Sequence, residues 1–148
     1  MKRLKVPTEA LFSPKKGISW KISGLIMAAM DEISIAVYAF SAKRLANALV
    51  KAAKRGVKVR IILDKKNADK SYSLDEWLIA QGIEAHFVYV KGGSMHHKFM
   101  VVDRKALMTG SYNLTNDSEF RNYDAAIFTD SKALVSAFSS EFERLCSL

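Results

Sequence analysis

Cysteine is nearly absent from this sequence, and its scarcity excludes a small protein stabilised by disulfides or by a cysteine-bound metal. The single cysteine, Cys146, has no partner for an internal disulfide and no neighbouring residue at the spacing of a metal site. A hydrophobic core must therefore stabilise the 148-residue chain. Its 49% hydrophobic and 26% charged content are ordinary for a globular domain.

Long apolar segments are also lacking. No run approaches the roughly 20 residues of a membrane-spanning helix, and the basic residues 1–7 are not followed by the apolar stretch of a signal peptide. The sequence predicts a cytoplasmic protein without a transmembrane segment, or a periplasmic or membrane-associated one if a leader has been removed. Without repeats or linkers, residues 1–148 are predicted to form a single domain, with 1–10 an unstructured or trimmed N-terminus.

Acidic residues are outnumbered, since 23 Lys and Arg stand against 15 Asp and Glu and give a net charge of +8. Such an excess favours a polyanionic partner, either nucleic acid or an anionic membrane surface. The alternative is that the charge serves only solubility.

Helical and strand periodicities alternate along the chain. Helical spacing over 18–31 and 45–53 accompanies apolar, β-branched runs over 33–40 and 57–63. Strand, helix and strand joined by short connections form a right-handed βαβ unit with parallel strands. Polar residues 65–73 are predicted to be a loop beyond the carboxyl end of a strand, where ligands commonly bind.

The second half of the sequence continues the pattern with a short helix over 74–81 and a final helix that Ser131 can cap. Four more strands are predicted at 84–90, 98–102, 106–109 and 123–129. The predicted fold is α/β, with a mixed, mostly parallel central sheet flanked by helices on both faces.

Side chains capable of catalysis concentrate around the strand predicted over 98–102. Residues two apart share a face of a strand, so His96 and Lys98 point the same way. The return strand delivers Ser111 and Asn113, again two apart. An imidazole, an ammonium, a hydroxyl and a carboxamide then converge, which is what phosphoryl transfer requires of a nucleophile and its oxyanion donors.

The H-x-K-x-x-x-x-D spacing that begins at His96, followed by the G-S-x-N motif that begins at Gly110, resembles the HKD signature of the phospholipase D superfamily. Because the motif occurs once in a short chain, the sequence is similar to the small single-motif bacterial members, the Nuc-type endonucleases. Residues 12–14, 38–41 and 53–59 also match segments of that group. The resemblance implies the same α/β sandwich.

The resemblance also implies a role for each motif residue. His96 would be the nucleophile that forms a covalent phosphohistidine, and its ring must be neutral because an imidazolium has no free lone pair. Lys98 and Asn113 would bind the non-bridging phosphate oxygens. Ser111 would donate to those oxygens or to the surroundings of the histidine.

Three acidic residues are candidates for supporting roles around His96 and its strand. Where the family usually has Glu after the G-S-x-N segment, this sequence has Asp124, which is assigned to orient His96, with Glu119 as the fallback. Asp103 completes the motif and is counted with the catalytic residues, although it suits bracing the strand end better than touching substrate. His97 faces away from the site, and His86, in another strand, is expected to be structural.

Four lysines are candidates for following a phosphate backbone, although each could equally be a solvated charge. They lie in the segments after two predicted strands: Lys65, Lys66, Lys70 and Lys91.

Two-step phosphoryl transfer needs a nucleophile on one side and an acid for the leaving oxygen on the other. The chain supplies one such histidine, so a second copy must supply the other. The expected assembly is a homodimer with a composite active site on the two-fold axis. No metal or other cofactor is expected, because no carboxylate pair or cysteine–histidine cluster suggests one.

The function predicted from the sequence is a metal-independent phosphodiesterase, a non-specific endonuclease acting on DNA or RNA. One alternative is a phospholipase D-type hydrolase of anionic phospholipids such as cardiolipin. Another is a non-catalytic nucleic-acid-binding module, which the intact motif disfavours. The net positive charge and the absence of an amphipathic, apolar-faced membrane segment favour the nuclease.

Overall fold

The computed structural model describes residues 5–148, and in this part of the chain seven strands form one sheet. The strands are β1 Glu9–Phe12, β2 Glu32–Val37, β3 Lys58–Asp64, β4 Glu84–Val88, β5 Lys98–Val102, β6 Ala106–Gly110 and β7 Ala125–Thr129. The helices are α1 Ile18–Ala28, α2 Lys43–Lys54, α3 Lys65–Ala68, α4 Asp75–Ala80, α5 Asn116–Phe120 and α6 Lys132–Cys146. The strand order is β1-β7-β6-β5-β2-β3-β4.

The sheet is mixed, as predicted, but the expectation that it is mostly parallel needs correction. Strands β2, β3 and β4 pair in parallel, whereas every pairing along β1-β7-β6-β5-β2 is antiparallel. The cause is local. A tight turn reverses the chain between β5 and β6, and β5 and β7 run against the other strands, so they impose antiparallel neighbours on both sides.

Both faces of the sheet carry an apolar layer. On one face the buried residues of α1 and α2, such as Ile22 and Leu49, pack over the strands. On the other face Val135, Phe142 and Leu145 of α6 pack against residues that include Phe99. All five residues of β5 are buried, because a central strand covered on both faces must be apolar on both. The prediction of helices on both faces is confirmed.

One edge of the sheet gathers the chain segments that matter for function. Pairing of Val37 with Lys98 and of Gly110 with Ala126 places the ends of β2 and β6 beside the starts of β5 and β7. The ends of β1, β3 and β4 reach the same side. We call this side the site edge.

The N-terminal segment is more ordered than predicted. Residues 1–4 lie outside the described residues, but Val6 is buried and β1 pairs antiparallel with β7. The expectation that 1–10 are unstructured is therefore wrong for the part from Val6 onward. Strand β1 escaped prediction because its four residues are mostly exposed and lack β-branched side chains.

Two short helices were also missed, and each has a side-chain cap. Asp64 accepts a hydrogen bond from the Asn67 amide at 2.9 Å and begins α3, inside the segment predicted to be a loop. Thr115 accepts from the Ser118 amide at 3.1 Å and begins α5. Asp and Thr are strong N-cap residues, so these signals were present in the sequence.

Candidate active site

His96 and Lys98 meet at the start of β5. The ammonium nitrogen of Lys98 lies 2.9 Å from Nδ1 of His96 and donates to the His96 carbonyl at 2.8 Å. The Lys98 side chain is buried, whereas His96 is exposed. The predicted placement of the two side chains on one side of the strand therefore agrees with the structure.

The charge of Lys98 decides which nitrogen of the His96 ring can accept a hydrogen bond. A lysine ammonium can only donate, so Nδ1 of His96 must accept, and the ring proton of the neutral form lies on Nε2. Burial lowers the pKa of Lys98, and the negative charge of Asp124 partly opposes this by raising it. The imidazole of His96 thus lies beside an ammonium that loses its proton more easily than an ordinary lysine.

Tyr38 completes this part of the site, although sequence reasoning gave it no role. Its ring lies 4.5 Å from the imidazole of His96, centroid to centroid, at an angle of 45°. The Lys98 ammonium lies 5.5 Å from the Tyr38 ring centroid, within the range of a cation–π contact. The sequence contained one indication of such a role, because Tyr38 lies in a segment, residues 38–41, that resembles the family.

Ser111 and Asp124 face each other across β6 and β7. The Ser111 hydroxyl donates to Oδ1 of Asp124 at 2.8 Å and accepts from the Ala125 amide at 3.0 Å. The two strands approach so closely here that a Cβ on Gly110 would lie 2.1 Å from the Ala125 carbonyl oxygen. The glycine of the G-S-x-N motif is required by this close approach.

The carboxamide of Asn113 is fixed through its oxygen, which accepts from the Ala39 amide at 3.2 Å. The backbone N–H of Asn113 donates to the Ser118 hydroxyl at 3.2 Å. Because the oxygen is already engaged, the NH₂ group is the donor that Asn113 can offer an anionic ligand.

Ser13 holds the Asp124 segment in place from a distant part of the sequence. Its buried hydroxyl accepts from the Asp124 amide at 2.9 Å and donates to the Asn122 carbonyl at 2.8 Å. The Ser13 amide donates to the Asp124 carbonyl at 2.9 Å. From the sequence, Ser13 is only part of a segment that resembles the family, because its positioning role depends on the pairing of β1 with β7.

The predicted orientation of His96 by Asp124 does not occur within this chain. The Asp124 carboxylate accepts a hydrogen bond from Ser111, and its negative charge raises the pKa of Lys98. The fallback, Glu119, is also wrong, because this buried carboxylate accepts from the Ser19 amide at 2.6 Å at the start of α1. Asp124 is one methylene shorter than the usual Glu, and Ser111 stands within its reach.

Asp103 lies at the opposite end of β5 and cannot touch a phosphate at His96. Its carboxylate accepts from the amides of Met30, Asp31 and Glu32 at 2.9, 2.8 and 2.9 Å. A five-residue strand separates it from Lys98 by about 16 Å. Counting Asp103 with the catalytic residues is therefore corrected, and the expected bracing of the strand end agrees with these contacts. The same contacts explain why α1 ends before residue 31.

His97 points away from the site edge, as predicted. Its Nε2 lies 2.7 Å from a carboxylate oxygen of Glu141 on α6, and its ring packs edge-on against Phe99. The bond from Arg144 and the bond from His97 lower the pKa of Glu141 to about 2. His86 lies on β4, at the border of the sheet, apart from these groups.

The four candidate lysines follow β3 and β4, near the site edge, but two of them are engaged. Lys65 pairs with Asp69 at 2.5 Å, and Lys66 donates to the Gly93 carbonyl at 2.6 Å. Lys70 and Lys91 are exposed. The lysines therefore form a basic flank of the site rather than part of its centre.

Within residues 5–148, no group of three or more His, Cys, Asp and Glu side chains is arranged to hold a metal ion. Among the helices of the same residues, none is both long and apolar enough to cross a membrane.

Comparison with known proteins places this arrangement in context. The domain family described as "Cardiolipin synthase, PLD-like domain" matches residues 22–146. A protein named mitochondrial cardiolipin hydrolase, from Xenopus tropicalis, is 36% identical over 82% of this chain, and the chain spans 57% of its length. A protein named phospholipase D, from Rickettsia felis, is 33% identical over 92% of the chain, which spans 66% of that protein.

Among solved structures, the phospholipase D family member Nuc from Salmonella typhimurium is similar over almost its whole length. The two share 25% sequence identity with a TM-score of 0.87, and the similarity covers 95% of this chain and 93% of Nuc. The seven-stranded sheet and its helices are thus an arrangement that this solved structure shares.

Proposed function

Because the chain belongs to the phospholipase D superfamily, through its PLD-like domain, we propose that it is a phosphodiesterase and that its substrate is DNA or RNA. The observation that supports this most directly is the contact of 2.9 Å between His96 and Lys98 at the site edge. A nucleophile and an anion-binding cation stand together there, with Ser111 and Asn113 following β6 at the same edge.

In the proposed first step, a bound phosphodiester anion competes for the ammonium of Lys98 and so releases the lone pair of His96. The freed nitrogen attacks phosphorus, an N–P bond forms, and the P–O bond to the leaving group breaks. Lys98 and the NH₂ group of Asn113 bind the non-bridging oxygens as charge accumulates on them. Ser111, held by Asp124, supports the same region.

The leaving oxygen needs a proton, and we propose that a second histidine supplies it. Each chain brings a single HKD motif, so this acid is the His96 of a second copy in its protonated form. In the second step that imidazole, now neutral, takes a proton from water as the water oxygen attacks phosphorus. The N–P bond breaks, and His96 and its copy return to their starting states.

The proposed reaction requires no metal ion. Lys98 carries the positive charge that a bound cation would otherwise bring to the phosphate oxygens, and an imidazole supplies the nucleophile. This proposal rests on what the residues can do, and a chelator tests it directly.

Nucleic acid is proposed as the substrate because the chain has a net charge of +8 and a basic flank beside the site. The second candidate is a phospholipid diester, which the names of the relatives from Xenopus and Rickettsia favour. The predicted absence of an apolar-faced segment no longer counts against the lipid, since α1 exposes apolar side chains. A non-catalytic binding module remains the third candidate, and the pairing of His96 with Lys98 argues against it.

The deciding experiment compares single-stranded DNA, duplex DNA, RNA and cardiolipin side by side, with chelator present throughout. We expect turnover of nucleic acid that falls steeply with added salt, because binding releases counterions from the phosphates and added salt makes that release less favourable. His96→Ala is the negative control for each substrate. Turnover of cardiolipin alone would replace the nuclease by the lipase, and dependence on added magnesium would contradict the proposed mechanism.

A further inference from the structure

Helix α1 exposes an apolar stripe on the outer surface of the domain. Trp20 is 58% exposed, Met27 is 70% exposed and Met30, just after the helix, is 71% exposed. Trp20, Gly24 and Met27 recur at the spacing of one helix face, and Gly24 is exposed between the other two. This face has no charged side chain, which is unusual for a helix that borders solvent.

Helix α2 lies beside α1 and supplies positive charge. Its exposed side includes Lys43, Arg44, Lys51 and Lys54, and Arg55 follows directly. Neither helix contains an acidic residue, and the sequence has none over 10–30 or 33–63. Lys21 lies to one side of the stripe, where it pairs with Glu9. The exposed surface of α1 is therefore apolar along its stripe, and the exposed surface of α2 is cationic.

Contacts between the helices hold the two kinds of side chain together. The guanidinium of Arg44 lies 3.8 Å from the centroid of the Trp20 ring. Arg55 donates to the carbonyls of Ile26, Met27 and Ala29, the nearest at 2.6 Å, and so closes the end of α1. Cationic and apolar groups thus form one preassembled surface, which we call the α1–α2 face.

We propose that the α1–α2 face docks the protein onto an anionic membrane surface. An apolar stripe with a tryptophan, bordered by lysine and arginine, matches the boundary between acyl chains and negative headgroups. A second copy of the chain is a poorer occupant, because a two-fold contact would oppose like charges. A nucleic acid strand would use the cations but leave Met27 and Met30 without a suitable contact.

The docked orientation leaves the chemistry accessible. Both helices begin near the site edge and run along one face of the sheet, so the membrane would cover the face while the edge stays open. The inference therefore goes beyond the proposed function and holds whether the diester hydrolysed at His96 belongs to nucleic acid or to lipid.

The test uses the full chain with His96→Ala, so that no lipid is consumed, and with Trp77→Phe, so that Trp20 is the only tryptophan. Binding is measured by flotation with phosphatidylcholine vesicles, either alone or mixed with phosphatidylglycerol. We expect binding to the mixed vesicles only, together with a shift of Trp20 emission to shorter wavelength as its ring leaves water.

Substitutions divide the surface into its two parts. Trp20→Ser with Met27→Ser should weaken vesicle binding by roughly tenfold or more, since two apolar side chains no longer enter the membrane. Lys51→Gln and Lys54→Gln should each weaken it by roughly fivefold. The matched controls lie on α6, on the opposite face, where Leu134→Ser and Lys132→Gln should leave binding unchanged.

Several results would overturn the proposal. These are the absence of binding to mixed vesicles, equal binding to neutral vesicles, or binding that survives the substitutions on α1 and α2. A dimer that dissociates when Trp20 and Met27 are replaced would assign the face to a second copy. If the substitutions on α1 and α2 abolish oligonucleotide binding, and the unsubstituted face binds no vesicles, the α1–α2 face would be assigned to nucleic acid. Because the protein tested is catalytically disabled, failure of the nuclease proposal leaves these outcomes unaffected.

Discussion

The ammonium nitrogen of Lys98 lies 2.9 Å from Nδ1 of His96, so the proposed nucleophile and the cation proposed to bind the phosphate are direct neighbours. Burial lowers the pKa of the Lys98 side chain, and Asp124 raises it. The charge of this one lysine is therefore sensitive to pH and to a single neighbouring carboxylate.

The first prediction concerns the alkaline limb of the pH–rate profile. Lys98 must be charged to bind phosphate oxygens, so activity should be lost as pH rises through its folded-state pKa, below the ordinary value of 10.5. Asp124→Asn removes the influence that raises this pKa, and the limb should move to lower pH. Initial rates on a soluble phosphodiester measure the shift. The control is Asp117→Asn, at an exposed acid paired with Arg121. If the alkaline limb does not move in Asp124→Asn, the limb does not report the titration of Lys98.

The second prediction separates Asp103 from the chemistry. Asp103→Ala leaves three backbone amides without their acceptor, and we expect the free energy of unfolding to fall by about 2 to 3 kcal/mol. Denaturant titration measures the loss. The turnover number per folded molecule should be unchanged, because the residue lies at the far end of β5. A variant that is stable but inactive would return Asp103 to the catalytic residues.

The third prediction tests the close approach of β6 and β7. Gly110→Ala would force a Cβ against the Ala125 carbonyl oxygen, and we expect a loss of about 3 kcal/mol or more in stability. Gly24→Ala is the matched control, since a Cβ there meets open space within a helix. It should stabilise the protein by about 0.5 to 1 kcal/mol. Thermal unfolding of both variants decides, and equal stabilities would show that β6 and β7 can separate locally.

Much of the fold and the centre of the site could be predicted from the apolar runs of the strands and the alternation of their side chains. Strand β5 was predicted with its observed bounds, because all five of its residues are buried and apolar except for Lys98 at its start. The alternation of side chains then placed His96 and Lys98 on one side and His97 on the other. The alternation of side chains depends only on the geometry of a single strand, so it can be predicted without knowing the order of the strands in the sheet.

Relationships between distant segments could not be predicted in the same way. The bond between Ser13 and the Asp124 amide joins residues 111 positions apart and depends on the pairing of β1 with β7. Whether Asp124 reaches His96 or Ser111 depends on differences of a few ångströms that spacing does not contain. The exposed stripe of α1 was missed because the helical spacing over 18–31 follows mostly buried residues; Trp20 and Met27 lie outside that pattern, whereas Met30 was counted within it.

The fourth prediction is a covalent phosphohistidine at His96. Rapid quenching without acid, followed by mass spectrometry, should find the adduct on His96 during turnover, because its ring lies beside the cation that would hold the phosphate. His97→Ala should keep both adduct and activity, since its ring bonds Glu141 on the other face of the strand. An adduct on His97 or Ser111 would exclude the proposed nucleophile.

The last prediction is that catalysis belongs to a dimer with one composite site. If each site needs two copies of His96, a dimer of one wild-type and one His96→Ala chain lacks either the nucleophile or the acid. Activity of co-expressed, differently tagged mixtures should then follow the square of the wild-type fraction. Mixing His96→Ala with Lys98→Ala should restore nothing, because every mixed dimer still lacks one histidine and one lysine. Sedimentation gives the mass of the active species, and a linear dependence on the wild-type fraction, from an active monomer, would refute the composite site.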